Sequence, residues 1–169
     1  HLSDRRQRQM CIRDRLSVAG TLDRKMGGQG FHLFDVDREN VVHYHAKDET
    51  GPAEWRRMIY LFKIRQEQDA VFGSFDCPDG NQVIPTRSRS TTPLQALNLF
   101  NSRFTMQQAQ KLAERLGAHG DRVPQTYELL YNRPATSDEI RDAEKFIEDH
   151  NFLAFCRAML NTSEFLFIF

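Results

Sequence analysis

The sequence predicts a mainly α fold, a small multi-helix bundle with a short N-terminal β-hairpin and a long irregular loop. Apolar residues recur at helical spacing from residue 92 onward, and several of these runs begin at a residue that can cap a helix. Two short runs rich in aromatic and β-branched residues flank a polar turn near residue 40, which is typical of a hairpin. The stretch between residues 75 and 97 concentrates acids, arginines and prolines, so we expect a loop there that leads into a helix.

The first 15 residues are predicted to be foreign to the protein. The run from Arg5 to Arg15 reads as the one-frame translation of a widely used transposase sequencing adapter, so we expect residues 1–15 to be a disordered artefact. The alternative is a genuine basic arm of the kind that contacts nucleic acid. We expect residues 16–169 to form one C-terminal helical domain that is truncated at its N-terminus.

Composition argues against two classes of partner for residues 16–169. Without the five arginines and two aspartates of the first segment, 18 basic residues stand against 21 acidic ones, and no basic stripe remains. A mildly acidic domain does not favour nucleic acid as its partner. No apolar run approaches the roughly 18 residues that a membrane helix needs, so we expect no membrane span.

Two helices are predicted before the central loop. The first is the end of a helix that runs from Leu16 to Met26 and stops before a glycine pair. The second begins at Ala53, after a Gly-Pro breaker. Its apolar side carries three large residues, Trp55, Ile59 and Phe62.

The predicted hairpin pairs Phe31–Val36 with Val41–Ala46 around the turn Asp37–Asn40. His43 and His45 lie two residues apart, hence on one strand face, which is compatible with metal ligation. No third ligand is evident from the sequence, so surface histidines are the favoured interpretation and no metal site is predicted.

Four charged residues of the central loop are candidate binding residues: Asp76, Asp79, Arg87 and Arg89. The aspartates flank Pro and Gly in an expected Asx-type turn, and the arginines share one side of an extended segment. An internal ion-pair network is the favoured interpretation, and a site for a carboxylate or phosphate is the alternative. Arg56 and Arg57 are two further candidates, because they follow Trp55 and could reach a carboxylate.

In the C-terminal half, capping residues predict where the helices begin. Thr92–Pro93 starts one helix, Asp121 and Asn151 can each cap another, and Thr136 with Glu139 forms a capping box. The apolar positions that we expect to be buried are Leu94, Leu97, Phe100, Phe104, Ala109, Leu112, Leu116, Val123, Tyr127, Leu130, Ile140, Ala143, Ile147, Phe152, Phe155, Cys156 and Met159. A solvated face is expected for Gln107, Gln108 and Gln110, and the apolar tail from Glu164 to Phe169 is expected to dock on the bundle or on a further domain.

Cysteine usage predicts no cofactor in this chain. There is no Cys-x-x-Cys, hence neither a c-type haem attachment site nor a zinc ribbon. Cys156 lies on an apolar helical face, where a buried free thiol is expected, although pairing with Cys77 stays open.

Five segments resemble a planctomycete-associated C-terminal domain of unknown function: Arg56–Tyr60, Phe75–Asp79, Arg87–Ser90, Thr92–Leu97 and Asn161–Phe165. The resemblance covers residues 16–169, and the Thr-Pro-Leu-Gln-Ala-Leu run at residues 92–97 is its most specific part. It implies a module of a large extracytoplasmic or periplasmic protein, linked to redox chemistry or polysaccharide use. Such proteins often carry a cytochrome c domain, so haem c would belong to the missing upstream part.

Three functions follow as hypotheses. The first is a helical interaction or scaffold module, whose partner is the upstream domain of the same parent protein. The second is an enzyme or glycan-binding part with a site in the 75–90 loop, where paired carboxylates could act on polysaccharide. The third is a metal-binding module that would use His43 and His45, or Asp76 and Asp79. No catalytic residue is assigned, and the sequence leaves open whether the chain is an enzyme.

Overall fold

The computed structural model describes residues 12–38, 41–47, 49–64, 92–117 and 120–166. These fall into two compact units, one formed by residues up to Thr21 and from Thr105 onward, the other by Leu22–Phe104. The described elements are helix α1 (residues 12–18), strands β1 (Phe34–Arg38) and β2 (Val42–Ala46), a 3-10 turn (Met58–Tyr60), and helices α2 (Pro93–Asn101), α3 (Arg103–Gly117), α4 (Arg122–Tyr131), α5 (Ser137–Asp149), α6 (Phe152–Met159) and α7 (Ser163–Leu166). The predicted mainly α fold with an N-terminal hairpin is confirmed.

The hairpin forms where the sequence predicts it. Strands β1 and β2 are antiparallel, with a register that runs from Phe34 opposite Ala46 to Arg38 opposite Val42. Phe34 is the buried residue of β1, and the four residues that follow it on this strand are exposed. The strand extends through Arg38, so part of the predicted turn belongs to the sheet.

Helix α1 ends earlier than its apolar spacing predicts. The backbone turns at Gly20, whose φ is +75°, and Met26 is exposed. The Thr21 N–H donates to the Leu16 carbonyl at 2.9 Å, and the Gly20 N–H donates to Ser17 at 3.1 Å. These two bonds form a Schellman ending, in which glycine accepts the left-handed conformation without steric cost.

The start of this chain is ordered where it is described. Residues 12–15 belong to α1, and Ile12 and Arg15 are buried, so the disorder expected of the first segment does not extend to them. Residues 1–11 lie outside the described residues, and the foreign origin of the segment stays a prediction.

The helix predicted from Ala53 is wrong. Residues 52–64 contain only a turn and a 3-10 turn, and Ile59 and Phe62 are exposed, although Trp55 is buried as expected. The backbone of this segment pairs with the segment before the hairpin instead of with itself. The Asp23 N–H donates to the Trp55 carbonyl at 2.8 Å. The Phe31 N–H donates to the Tyr60 carbonyl, and the Phe31 carbonyl accepts from the Phe62 N–H, both at 2.9 Å. These bonds satisfy backbone groups that a helix would otherwise pair.

Helix α2 has the predicted start but not the predicted burial. The Thr92 hydroxyl accepts from the Gln95 N–H at 3.3 Å, and the Gln95 side chain accepts from the Thr92 N–H at 3.4 Å, which completes the capping box. Pro93 occupies the first helical position. Leu94, Leu97 and Phe100 are nevertheless 55%, 55% and 45% exposed. The prediction that they are buried is therefore wrong.

Helix α6 lies between two apolar clusters of the first unit. Cys156 and the following Leu160 pack with Ala109, Leu112 and Leu116 of α3. Phe155 and Met159 pack on the other side with positions of α4 and α5, among them Val123, Tyr127 and Ala143. The predicted inward positions of these helices are thus confirmed by two clusters that share one short helix, and Phe165 of the tail packs against the first of them.

Two of the three further caps form as predicted. Thr136 and Glu139 make a reciprocal capping box, and the Asn151 side chain accepts from the Ala154 N–H at 2.7 Å. Asp121 occupies the N-cap position of α4, but its side chain makes no capping bond. Gln108, expected on a solvated face, is fully buried, and its Oε1 accepts from the Thr21 hydroxyl at 2.6 Å.

We predict that Gly20→Ala lowers the free energy of unfolding by about 1–2 kcal/mol, because an L-residue is strained at this positive φ. The neighbouring Arg115 atoms lie 3.5 Å from the position of the added Cβ, which is ordinary contact, so strain rather than a clash causes the loss. Urea unfolding measures it. Gly117→Ala, at the end of α3 with open space around its Cα, is the matched control and should leave stability unchanged or slightly raised. Equal stability of the two variants would contradict the Schellman ending.

Candidate functional site

Four of the six predicted binding residues cannot be placed. Asp76, Asp79, Arg87 and Arg89 lie outside the described residues, and so does Cys77. Their mutual ion pairing, and the alternative of a site in the 75–90 loop, therefore stay predictions.

Arg56 holds backbone carbonyls of the loop before the hairpin. Its guanidinium donates to Gln29 at 2.8 Å, to Gly27 at 2.9 Å and to Lys25 at 3.2 Å. Its Nε lies 3.5 Å from the Asp23 carboxylate, so Arg56 does reach a carboxylate, although sequence analysis did not say which one. Three carbonyls and a carboxylate surround the Arg56 guanidinium. The side chain therefore stabilises the loop before the hairpin and is not available to a ligand.

Tyr60 and two glycines complete this arrangement. The Tyr60 ring lies 4.4 Å from the Arg56 guanidinium, and its hydroxyl accepts from the Gly27 N–H at 2.8 Å. A Cβ at Gly30 would lie 2.6 Å from the Tyr60 carbonyl, so only glycine allows the two backbones this close. The Arg-x-x-x-Tyr spacing at residues 56–60 thus serves the local fold.

Arg57 differs from its neighbour. It is half-buried, and its Nη1 lies 3.3 Å from the Met26 sulfur, a weak acceptor. No ion pair of Arg57 occurs within the described residues. Of the two predicted binding residues that the structure describes, Arg56 and Arg57, Arg57 is the one that makes no ion pair with a described residue.

His43 and His45 are exposed on β2. As the side chains stand, no group of three His, Cys, Asp or Glu residues in the described ranges is gathered to hold a metal ion.

Sequence analysis missed the most elaborate charged cluster in the described structure, which is centred on Arg133. Its Nη1 and Nη2 donate to Glu139 at 2.9 and 2.7 Å, and its Nε and Nη2 donate to Glu164 at 2.7 and 2.9 Å. Both carboxylates are therefore held in bidentate fashion by one guanidinium. The sequence did indicate the capping box of Thr136 and Glu139, next to Arg133–Pro134. Nothing in the sequence indicated that Glu164 contacts Arg133.

The cluster shifts the titration of its carboxyl groups. Hydrogen bonds from Arg133 lower the pKa of Glu139 to about 2, and a bond from the Thr136 backbone adds to the effect. Arg133 also lowers the pKa of Glu164 and has its own pKa raised by the same bonds. Both carboxylates stay charged at neutral pH, as they must in order to tie α7 to the start of α5.

A second missed residue is Arg15, which is 1% exposed. Its guanidinium donates to the Thr105 hydroxyl at 2.6 Å, to the Leu160 carbonyl at 2.9 Å and to the Asn161 side chain at 2.9 Å. These bonds link α1, the start of α3 and the segment after α6. Sequence analysis excluded this arginine with the first segment and so gave it no role.

Cys156 is not a reactive thiolate, and an open groove of the first unit lacks the predicted binding residues. Cys156 is a free buried cysteine as expected, and burial raises its pKa to about 12, so it is not a thiolate nucleophile at neutral pH. An open groove of about 480 Å³ lies between α3 and α4. It is lined by Arg115, Leu116, Gln125, Glu128, Leu129 and Asn132. None of these six is a residue that sequence analysis assigned to binding.

We predict that Arg133→Lys lowers the melting temperature by several degrees, because an ammonium cannot hold two carboxylates in bidentate fashion. Arg141→Lys is the matched control. Arg141 pairs with Asp138 and Asp142 at the surface of α5, where such pairs contribute little, so its Tm should stay within about 1 °C of the wild type. A Tm of Arg133→Lys that equals the control would refute a structural role for the cluster.

The lowered pKa of Glu139 predicts a pH dependence. A carboxyl group with a depressed folded pKa contributes stability above its unfolded pKa, near 4.5, and loses it as pH falls toward about 2. Glu139→Gln should therefore flatten the fall in unfolding free energy between about pH 4.5 and pH 2.5, relative to the wild type. Urea titrations across this range measure the slope. Glu144→Gln, on the exposed side of the same helix, should keep the wild-type slope, and a wild-type slope in Glu139→Gln would rule the linkage out.

Comparison with known proteins identifies the family but no close relative. No curated protein and no solved structure matches the chain. No described helix is both long and apolar enough to cross a membrane. A family model described as PSD1, protein of unknown function (DUF1553), matches residues 1–147. Because this match spans most of the sequence, the chain belongs to the DUF1553 (PSD1) family of proteins of unknown function.

Proposed function

We propose that this chain is an interaction or scaffold module that docks on an upstream domain of the same parent protein. The observation that carries the proposal is the apolar row on α2, where Leu94, Leu97 and Phe100 are about half exposed. Their spacing of three residues places them on one side of the helix. A row of large apolar side chains that faces water is typical of a surface that a partner covers.

The composition of α2 supports the same proposal. Its nine residues, from Pro93 to Asn101, include no acidic or basic side chain, in a chain of which 27% is charged. The centres of protein interfaces are depleted in charge, whereas the solvated faces of helices usually carry it. An uncharged face favours an apolar partner surface over nucleic acid.

The N-terminal end of α2 is already capped in the chain without a partner. Thr92 and Gln95 form the capping box, and Gln95 is itself buried. A helix that is already ordered loses less conformational entropy on association than a segment that must fold. The apolar row is thus presented on a preformed element.

The main charged clusters favour a scaffold over a catalytic site. Arg56 is engaged by backbone carbonyls, and Arg133 is engaged by two carboxylates. Groups paired in this way do not offer an open charge to a substrate.

The wider setting of the module rests on the family resemblance alone. On that basis we place it in a large extracytoplasmic protein, linked to redox chemistry or polysaccharide use, with any haem c carried by the upstream part. The upstream domain is the partner that the resemblance favours, because the two would occur on one chain.

We predict that this chain and the upstream region of its parent protein, produced separately, associate with a Kd in the micromolar range or tighter. Leu97→Glu should weaken binding by at least about tenfold, because it places a charge at the centre of the apolar row. Titration calorimetry measures both constants, and circular dichroism checks that the variant is folded.

Leu153→Glu is the control, because Leu153 is also a partly exposed apolar residue of a helix but lies on α6. It should bind as the wild type does. Absence of wild-type binding at micromolar concentrations, or an equal loss in the two variants, would contradict docking through α2.

A further inference from the structure

We propose that the exposed face of the hairpin binds one divalent transition-metal ion through His43 and His45 together with Asp35 and Asp37. The register of the sheet carries this inference. Asp35 lies directly opposite His45, and Asp37 lies directly opposite His43. Because side chains alternate along a strand and cross-strand partners share a face, all four residues are on the same face.

The opposite face fixes which side is turned outward. It carries Phe34, Val36, Tyr44 and Ala46; Phe34 is buried and Tyr44 is half-buried, whereas Val36 and Ala46 are exposed. If the strand pairing shifted by one residue, the aspartates and histidines would occupy the face that Phe34 occupies now. Because Phe34 is buried, such a shift is unfavourable and the register is kept. The four polar residues are all exposed as a result.

The spacing suits a metal ion. Directly opposed residues have Cβ atoms about 4.5–5.5 Å apart, and the two histidines are separated by one residue of the same strand. An imidazole and a carboxylate that approach from such positions can both reach an ion at about 2.0–2.2 Å. Sequence analysis set the site aside for want of a third ligand, and the register supplies two carboxylates.

The side chains must turn inward to bind. As they stand, no three of them are gathered around one point. All four are exposed, so a change of rotamer meets little steric resistance. Lys47 follows on the same face, but its ammonium is already paired with Glu54 at 2.8 Å, which leaves Asp35 for the ion.

The ligand types select the class of metal. Imidazole nitrogen with carboxylate oxygen suits Zn²⁺ and related transition-metal ions, whereas Ca²⁺ and Mg²⁺ prefer sites built from oxygen alone. Such an ion would join β1 to β2. Since a two-stranded hairpin is marginally stable by itself, binding should stabilise it.

Titration of the full chain with Zn²⁺, followed by calorimetry, tests the site. We expect one equivalent bound with a micromolar Kd, and a concentration-dependent rise in Tm. Co²⁺ should give the d–d absorption of a protein-bound ion. His43→Ala and His45→Ala should each weaken binding by at least about tenfold, and Asp35→Asn combined with Asp37→Asn should do the same.

Matched controls separate this site from other histidines and from the loop. His32→Ala and His150→Ala remove imidazoles that contact the rings of Phe62 and Phe146 in a tilted arrangement, and both variants should bind Zn²⁺ as the wild type does. Cys77→Ser should also leave binding unchanged. The proposal fails if no saturable binding occurs up to about 1 mM, if the His43 and His45 variants bind normally, or if the loss follows Cys77.

Discussion

Arg133 binds Glu139 and Glu164 at the same time, and the arrangement of the C-terminal helices depends on this double pairing. The two carboxylates come from the first turn of α5 and from α7, which are 25 residues apart in sequence. Glu139 also completes the capping box with Thr136. Its side chain accepts from the Thr136 N–H at the start of α5 and at the same time binds the Arg133 guanidinium. The pairing thereby joins the segment after α4 to both helices, in addition to the apolar cluster that packs α4 against α5.

The same use of arginine recurs in each compact unit. In one unit Arg15 bonds to Thr105, Leu160 and Asn161, and in the other Arg56 bonds to three loop carbonyls. A guanidinium carries five N–H donors in a fixed plane, so it can satisfy several acceptors that no backbone donor reaches. Arginines engaged in this way stabilise the fold. Among the described residues, the surfaces that we propose for partners are the apolar row of α2 and the His and Asp face of the hairpin.

Local rules predicted the local features well. The capping boxes at Thr92 and Thr136, the hairpin and the inward positions of α3 to α6 each depend on residues within one or two turns of one another. Such features follow from periodicity and from the chemistry of caps. The helix end at Gly20 was missed because the apolar spacing continued beyond a glycine whose positive φ stops the helix.

Features set by distant partners escaped prediction. Residues 54–62 have an apolar period compatible with a helix, but their backbone pairs with residues 23–31. Gln108 is buried by a contact with Thr21, 87 residues away in sequence, and Glu164 reaches Arg133 across 31 residues. A single sequence contains little information on such pairs.

A double-mutant cycle between Arg133 and Glu164 tests the central structural claim most directly. Urea unfolding of the wild type, Arg133→Gln, Glu164→Gln and the double variant gives the coupling between the two side chains. If Glu164 stabilises the fold through Arg133, Glu164→Gln lowers the free energy of unfolding in the wild-type background and has little effect once Arg133 is glutamine. An equal loss in both backgrounds would contradict the account.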